Sequence, residues 1–167
     1  MEVFSDPKTR LVFPTKLGAL TRQGITTHEL ASAGYSVVYL AKGWLGGLKM
    51  SASFDVYDKG LSDIPDGPDS VHVAVELQNN VHIFDPGTPL PTISEIEPFL
   101  SGSRDDLGYF SGEVGGNFRV VSLEAKDKTT TMGLFLTGHR GHFIKIIFID
   151  MTGGKSLNYR FFRVCSG

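Results

Sequence analysis

The chain has 167 residues, 41% of them hydrophobic and 20% charged, with a formal net charge of −2. That is enough to bury a core in one domain without metals or disulfides. The near-neutral charge, with no Lys/Arg run, argues against a nucleic-acid footprint. The single cysteine, Cys165, excludes an intramolecular disulfide and a cysteine-rich zinc site.

The start, MEVFSDPKTR, has no apolar run of signal-peptide type, and residues 1–10 read as a loose lead-in. Leu17, Leu20 and Ile25 are spaced apolar anchors, and residues 19–27 suggest a short strand. The most organised stretch follows. Tyr35 to Ala41 is apolar on both faces, the pattern of a strand covered on both sides. Gly43 to Gly47 supplies a glycine-rich turn with Trp44 and Leu45 at its tip. Leu48 to Tyr57 then alternates without a break. Leu48, Met50, Ala52, Phe54 and Val56 form a core face, and Lys49, Ser51, Ser53, Asp55 and Tyr57 a polar face.

Residues 61–70, LSDIPDGPDS, read as a rigid loop capped by carboxylates. Asp63, Asp66 and Asp69 lack the spacing of a calcium-binding loop. Val71, Val73, Val75 and Leu77 alternate as in a strand, while Val73 or Ala74, Leu77, Val81 and Phe84 share a helical face; the length and a cap at Asp69 or Ser70 favour a helix over 71–84, ended by Asp85-Pro86-Gly87. Four prolines mark residues 86–116 as a long loop, with a helical turn near 93–100. Strands are predicted at 118–124, 131–137 and 142–149, and a short helix at 155–164. No segment approaches the ~20 apolar residues of a membrane-spanning helix.

This order predicts an α+β fold: an antiparallel sheet of about six strands with one or two helices packed against it, in a single domain over 1–167. Two blocks, GYSVVY…FDVYDKGLSDIPDG at 34–67 and LFLTGHRGHFIKIIFI at 134–149, resemble blocks of uncharacterised bacterial proteins. The order of elements is similar to the Mog1/PsbP-like α-β-α sandwich. Known members of that fold group do unrelated jobs, so the resemblance implies a fold and no residue roles.

The motifs argue weakly for chemistry. Gly153-Gly154-Lys155-Ser156 copies the end of a phosphate-binding loop, but Ile149 stands where the first glycine belongs. His139 and His142 flank a turn without further ligands nearby and read as solvated. No G-x-S-x-G or activated cysteine is visible. Lys145, mid-strand on the face of Phe143, Ile147 and Ile149, needs a partner, and Asp55 is the candidate. The expectation is a non-catalytic binding domain without cofactor or metal. It recognises a protein or a small ligand through Trp44, Leu45, Asp55, Tyr57 and Lys145. The alternative is a small enzyme or ligand carrier with its site between the sheet and the 86–116 loop.

Overall fold

The computed structural model describes residues 2–84, 119–124 and 131–151. The expected 86–116 loop, the helix at 155–164, the Gly153–Ser156 motif and Cys165 lie outside the described residues.

A two-residue ribbon, β1 (Phe4–Ser5) and β2 (Val12–Phe13), opens the fold. The main sheet contains β3 (Lys16–Leu17), β4 (Leu20–Thr27), β5 (Tyr35–Lys42), β6 (Leu48–Tyr57), β7 (Arg119–Glu124), β8 (Thr131–His139) and β9 (His142–Asp150). Its order is β3-β4-β5-β6-β9-β8-β7, antiparallel throughout. Six strands are full length, and β3 is a two-residue edge. With helix α1 (Val71–Phe84) packed against β8 and β7, the fold is α+β, as the order of elements predicts.

The period-two pattern of β6 decides the layering. Ala52, Phe54 and Val56 align with Val37 and Tyr39 on β5 and with Ile144, Ile146 and Phe148 on β9. They build one buried face, closed by Leu11, Phe13, Leu20 and Phe135. The rings of Phe4, Phe13, Tyr35, Tyr39 and Phe54 meet largely edge to face, with centroids 5.5–6.1 Å apart. Leu48, expected on this face, is 42% exposed because it lies by the hairpin tip, beyond the cover of the ribbon.

Residues 4–10, expected within the loose lead-in of 1–10, belong to the ordered ribbon. The Asp6 carboxylate accepts from Thr9 Oγ1 (2.5 Å), the Lys8 N–H (3.0 Å) and Tyr35 OH (2.9 Å), and Phe4 and Phe13 pack on the core. Phe4, within the expected lead-in, and Phe13, just after it, fasten the ribbon to the sheet.

The second face carries Tyr57, Leu134, Leu136 and Phe143, covered by Ile64 and by Val73 and Leu77 of α1. Ser70 Oγ accepts from the Val73 N–H at 3.2 Å, the cap the sequence suggests. The helix covers the β7–β9 side and the Tyr57 end of β6, and does not reach across to β5. On β5, Val37, Tyr39 and Ala41 are buried in the core that Leu11 and Phe13 close, while Ser36, Val38 and Leu40, on the face that α1 does not reach, are half-exposed. The expected cover on both faces of β5 is absent for that reason.

The loop between β6 and α1 is tied to β8. Gly67 and Gly138 exchange N–H···O bonds of 2.8 and 3.0 Å, and Asp66 Oδ1 accepts from the Arg140 N–H at 2.6 Å. Asp58 Oδ1 likewise accepts from the Gly60 N–H at 2.7 Å. These carboxylates cap turns, and no cluster suited to a metal occurs among the described residues. Arg140 and Gly141 both have positive φ, 49° and 75°, which makes the β8–β9 connection a tight two-residue hairpin.

Candidate functional site

Because α1 covers half of its face, a cleft of about 490 Å³ remains between the helix and the β5–β6 side of the sheet. Its floor is one row of side chains crossing three strands: Ser36, Asp55 and Lys145 are successive cross-strand partners on β5, β6 and β9. Lys145 Nζ lies 3.2 Å from Asp55 Oδ2, the pairing expected from the sequence. It also donates to Asn80 Oδ1 at 3.1 Å and stands 5.2 Å from the centroid of the Tyr57 ring. Opposite charges directly across an antiparallel pair attract, and the shelter of the helix reduces their screening by water.

Glu76 forms the second node. Its side chain is nearly buried and takes three partners: Tyr57 OH at 2.7 Å, Asn80 Nδ2 at 2.9 Å and Lys59 Nζ at 2.5 Å. Asn80 thus bridges both nodes, receiving from Lys145 and donating to Glu76. Burial pushes the Tyr57 phenol far above its ordinary value of 10.0, and the Glu76 carboxylate adds to the shift. Tyr57, expected on the polar face of β6, is buried because α1 lies over that end of the strand.

The other wall is more open. His28 Nε2 and Ser36 Oγ are 2.9 Å apart, with Ser32, Ala33 and Asn79 along the rim. The charges of the two nodes cancel: Asp55 and Glu76 against Lys145 and Lys59. No family model, curated protein or solved structure matches this chain.

The structure divides the five site residues expected from the sequence. Asp55, Tyr57 and Lys145 converge in the cleft. Trp44 and Leu45 stand at the hairpin tip, 96% and 84% exposed, at the opposite end of β6. Glu76, Asn80, Lys59 and His28 escaped the sequence reading. Glu76 and Asn80 left a usable signal, since they are four apart and lie within the stripe of Val73 and Leu77. A polar pair inside an apolar stripe must find polar partners once buried.

His139 is also not the solvated turn residue expected. It is 3% exposed, and its Nε2 lies 3.0 Å from Thr9 O. A carbonyl only accepts, so Nε2 carries the proton. His142 keeps its place at the turn, with Nδ1 2.9 Å from Arg140 O.

Proposed function

We propose that this protein is a non-catalytic binding domain or ligand carrier that holds a small polar molecule in the cleft between α1 and β5–β6. The observation that carries this reading is a concave space of ligand size, about 490 Å³, with Asp55, Tyr57 and Lys145 converging on it beside half-open polar groups. Local charge cancellation favours a neutral or zwitterionic ligand, because neither sign of charge is concentrated there. Binding fits better than chemistry for a stated reason. Lys145, Glu76 and Tyr57 are each held by other protein groups, whereas a nucleophile or general base needs an atom within reach of substrate.

The test is a thermal-shift screen of sugars, polyols and amino acids against the wild type and Ser36→Trp, which fills the cleft. A ligand at one hundred times its Kd adds about 2.7 kcal/mol to the stability of the folded state. A shift in the wild type and none in Ser36→Trp supports the reading. Equal shifts in both proteins, or none with any of these classes, refute it.

A further inference from the structure

We infer that the Gly43–Gly47 tip is a docking wedge for an anionic lipid surface. This surface is separate from the cleft and does not depend on the function proposed for it.

Trp44 and Leu45 are the most exposed large apolar side chains among the described residues, at 96% and 84%. Two more follow at the same end of the sheet. Leu48 is 42% exposed and Met151 41%, and the Met151 N–H donates to Lys49 O at 3.0 Å. The tip is not a loose end. The Gly43 N–H donates to Gly47 O at 2.8 Å and the Gly46 N–H to Gly43 O at 2.9 Å, with Gly46 at a φ of 81°. Glycines let the turn close tightly, so the two side chains project from a braced support.

Charge selects the partner. Lys42 and Lys49 are exposed on the two strands just behind the tip, and residues 35–54 contain no Asp or Glu. On a chain of net charge −2, the exposed charges at this end of the hairpin are both cationic, while Asp150, the cross-strand partner of Met50, is buried at 1% exposure. Each lysine held near an anionic bilayer contributes about 1 kcal/mol. Tryptophan settles at the headgroup boundary, where its ring is sheltered and its N–H stays hydrated.

Area argues the same way. A tryptophan offers roughly 150–250 Å², and with one leucine beside it the tip stays below the ~500 Å² a side of a specific protein interface of ~1,000 Å² in total. A lipid surface accepts so narrow a wedge because it needs no matching pocket. Asp55 lies seven residues along β6 from Leu48, roughly 23 Å at the strand rise. A molecule docked by its tip therefore holds the cleft away from the surface and open to solvent.

Trp44 is the only tryptophan in the chain, so its emission reports on the tip alone. The full chain is titrated with vesicles of phosphatidylcholine and phosphatidylserine at low salt. Expected are a blue shift, quenching by brominated acyl chains, co-sedimentation, and loss of all three at high salt. Lys42→Ala with Lys49→Ala should weaken binding by roughly 10–30-fold. Leu45→Ser should weaken it while keeping the fluorophore, with far-UV circular dichroism confirming the native fold. Unchanged emission with these vesicles overturns the inference, as does equal binding to pure phosphatidylcholine. A blue shift that grows with protein concentration in the absence of lipid assigns the tip to a second copy of the chain and also overturns it.

Discussion

Asp55 and Lys145 are direct cross-strand partners on β6 and β9, and their charged atoms lie 3.2 Å apart under the edge of α1. The pair joins two strands distant in sequence and, through Asn80, fastens the helix to the sheet. Each partner is about one-fifth exposed, so the contact is sheltered from water.

Removing one partner leaves the other half-sheltered and unpaired. Asp55→Ala or Lys145→Met alone should cost ~1–3 kcal/mol. The double variant should cost less than the sum of the two, with a coupling of ~0.5–3 kcal/mol. Urea denaturation of the four proteins measures this. Strict additivity would show that the pair contributes no mutual stabilisation.

Alkaline stability should depend on Tyr57 and Tyr35. Burial raises both phenols above 10.0, with Glu76 adding to the shift at Tyr57 and Asp6 at Tyr35. Their folded values exceed the unfolded one, so the stabilisation is complete below pH 10 and is lost as pH rises beyond it. Tyr57→Phe and Tyr35→Phe should each flatten the decline in stability above pH 10, and absorbance at 295 nm should show these phenols ionising only as the fold opens. An unchanged slope in both variants would contradict the assignment.

The acid side should depend on Asp6. Burial alone would raise its carboxyl, but hydrogen bonds from Thr9, the Lys8 N–H and Tyr35 outweigh that effect and hold it below 3.8. A lowered folded value means stability present above pH 3.8 and lost as pH falls through the folded value. Asp6→Asn should destabilise the protein at neutral pH, and its deficit against the wild type should shrink under acid. Hydrogen exchange should locate the early opening in residues 4–13. A deficit independent of pH would point to packing instead of charge.

Two glycines are required by close approach. A Cβ on Gly138 would stand 2.0 Å from Pro65 O, and one on Gly34, where φ is 65°, would stand 1.7 Å from Val56 O. Gly138→Ala should release the 58–70 loop from β8, and Gly34→Ala should push the start of β5 from β6. Each should cost more than ~2 kcal/mol, within the range of overpacking and backbone strain. Gly46→Ala, with a φ of 81° but open space around it, should cost only ~1–2 kcal/mol. Thermal unfolding of the three variants tests this ordering.

Much of the fold is legible before any coordinates. The alternation of Leu48 to Tyr57 sets β6 to the residue, and the cap signal with the Val73/Leu77 spacing favours α1 over 71–84, although Val71, Val73, Val75 and Leu77 also alternate as in a strand. Local chemistry governs both, through the side-chain period in one case and a capped amphipathic turn in the other. Residues 4–10 read as part of a loose lead-in because the order of the ribbon comes from distant partners: Tyr35, Phe54 and His139. His139 sits in a turn by sequence, and only the packing of the ribbon buries it.

The hairpin at 35–57 shows where the boundary falls. Its strands, its turn and the apolar core of β6 follow from residue order alone, because pleat and turn chemistry act over a few residues. Strand order, the half-cover of the sheet by α1 and the joining of Asp55 to Lys145, Asn80 and Glu76 arise only in three dimensions. Register and helix placement depend on contacts between residues up to one hundred positions apart, and no local pattern encodes them. The exposure of Trp44 belongs to the same class: glycines permit either a folded-back or a projecting ring, and the tertiary structure leaves it projecting at 96%.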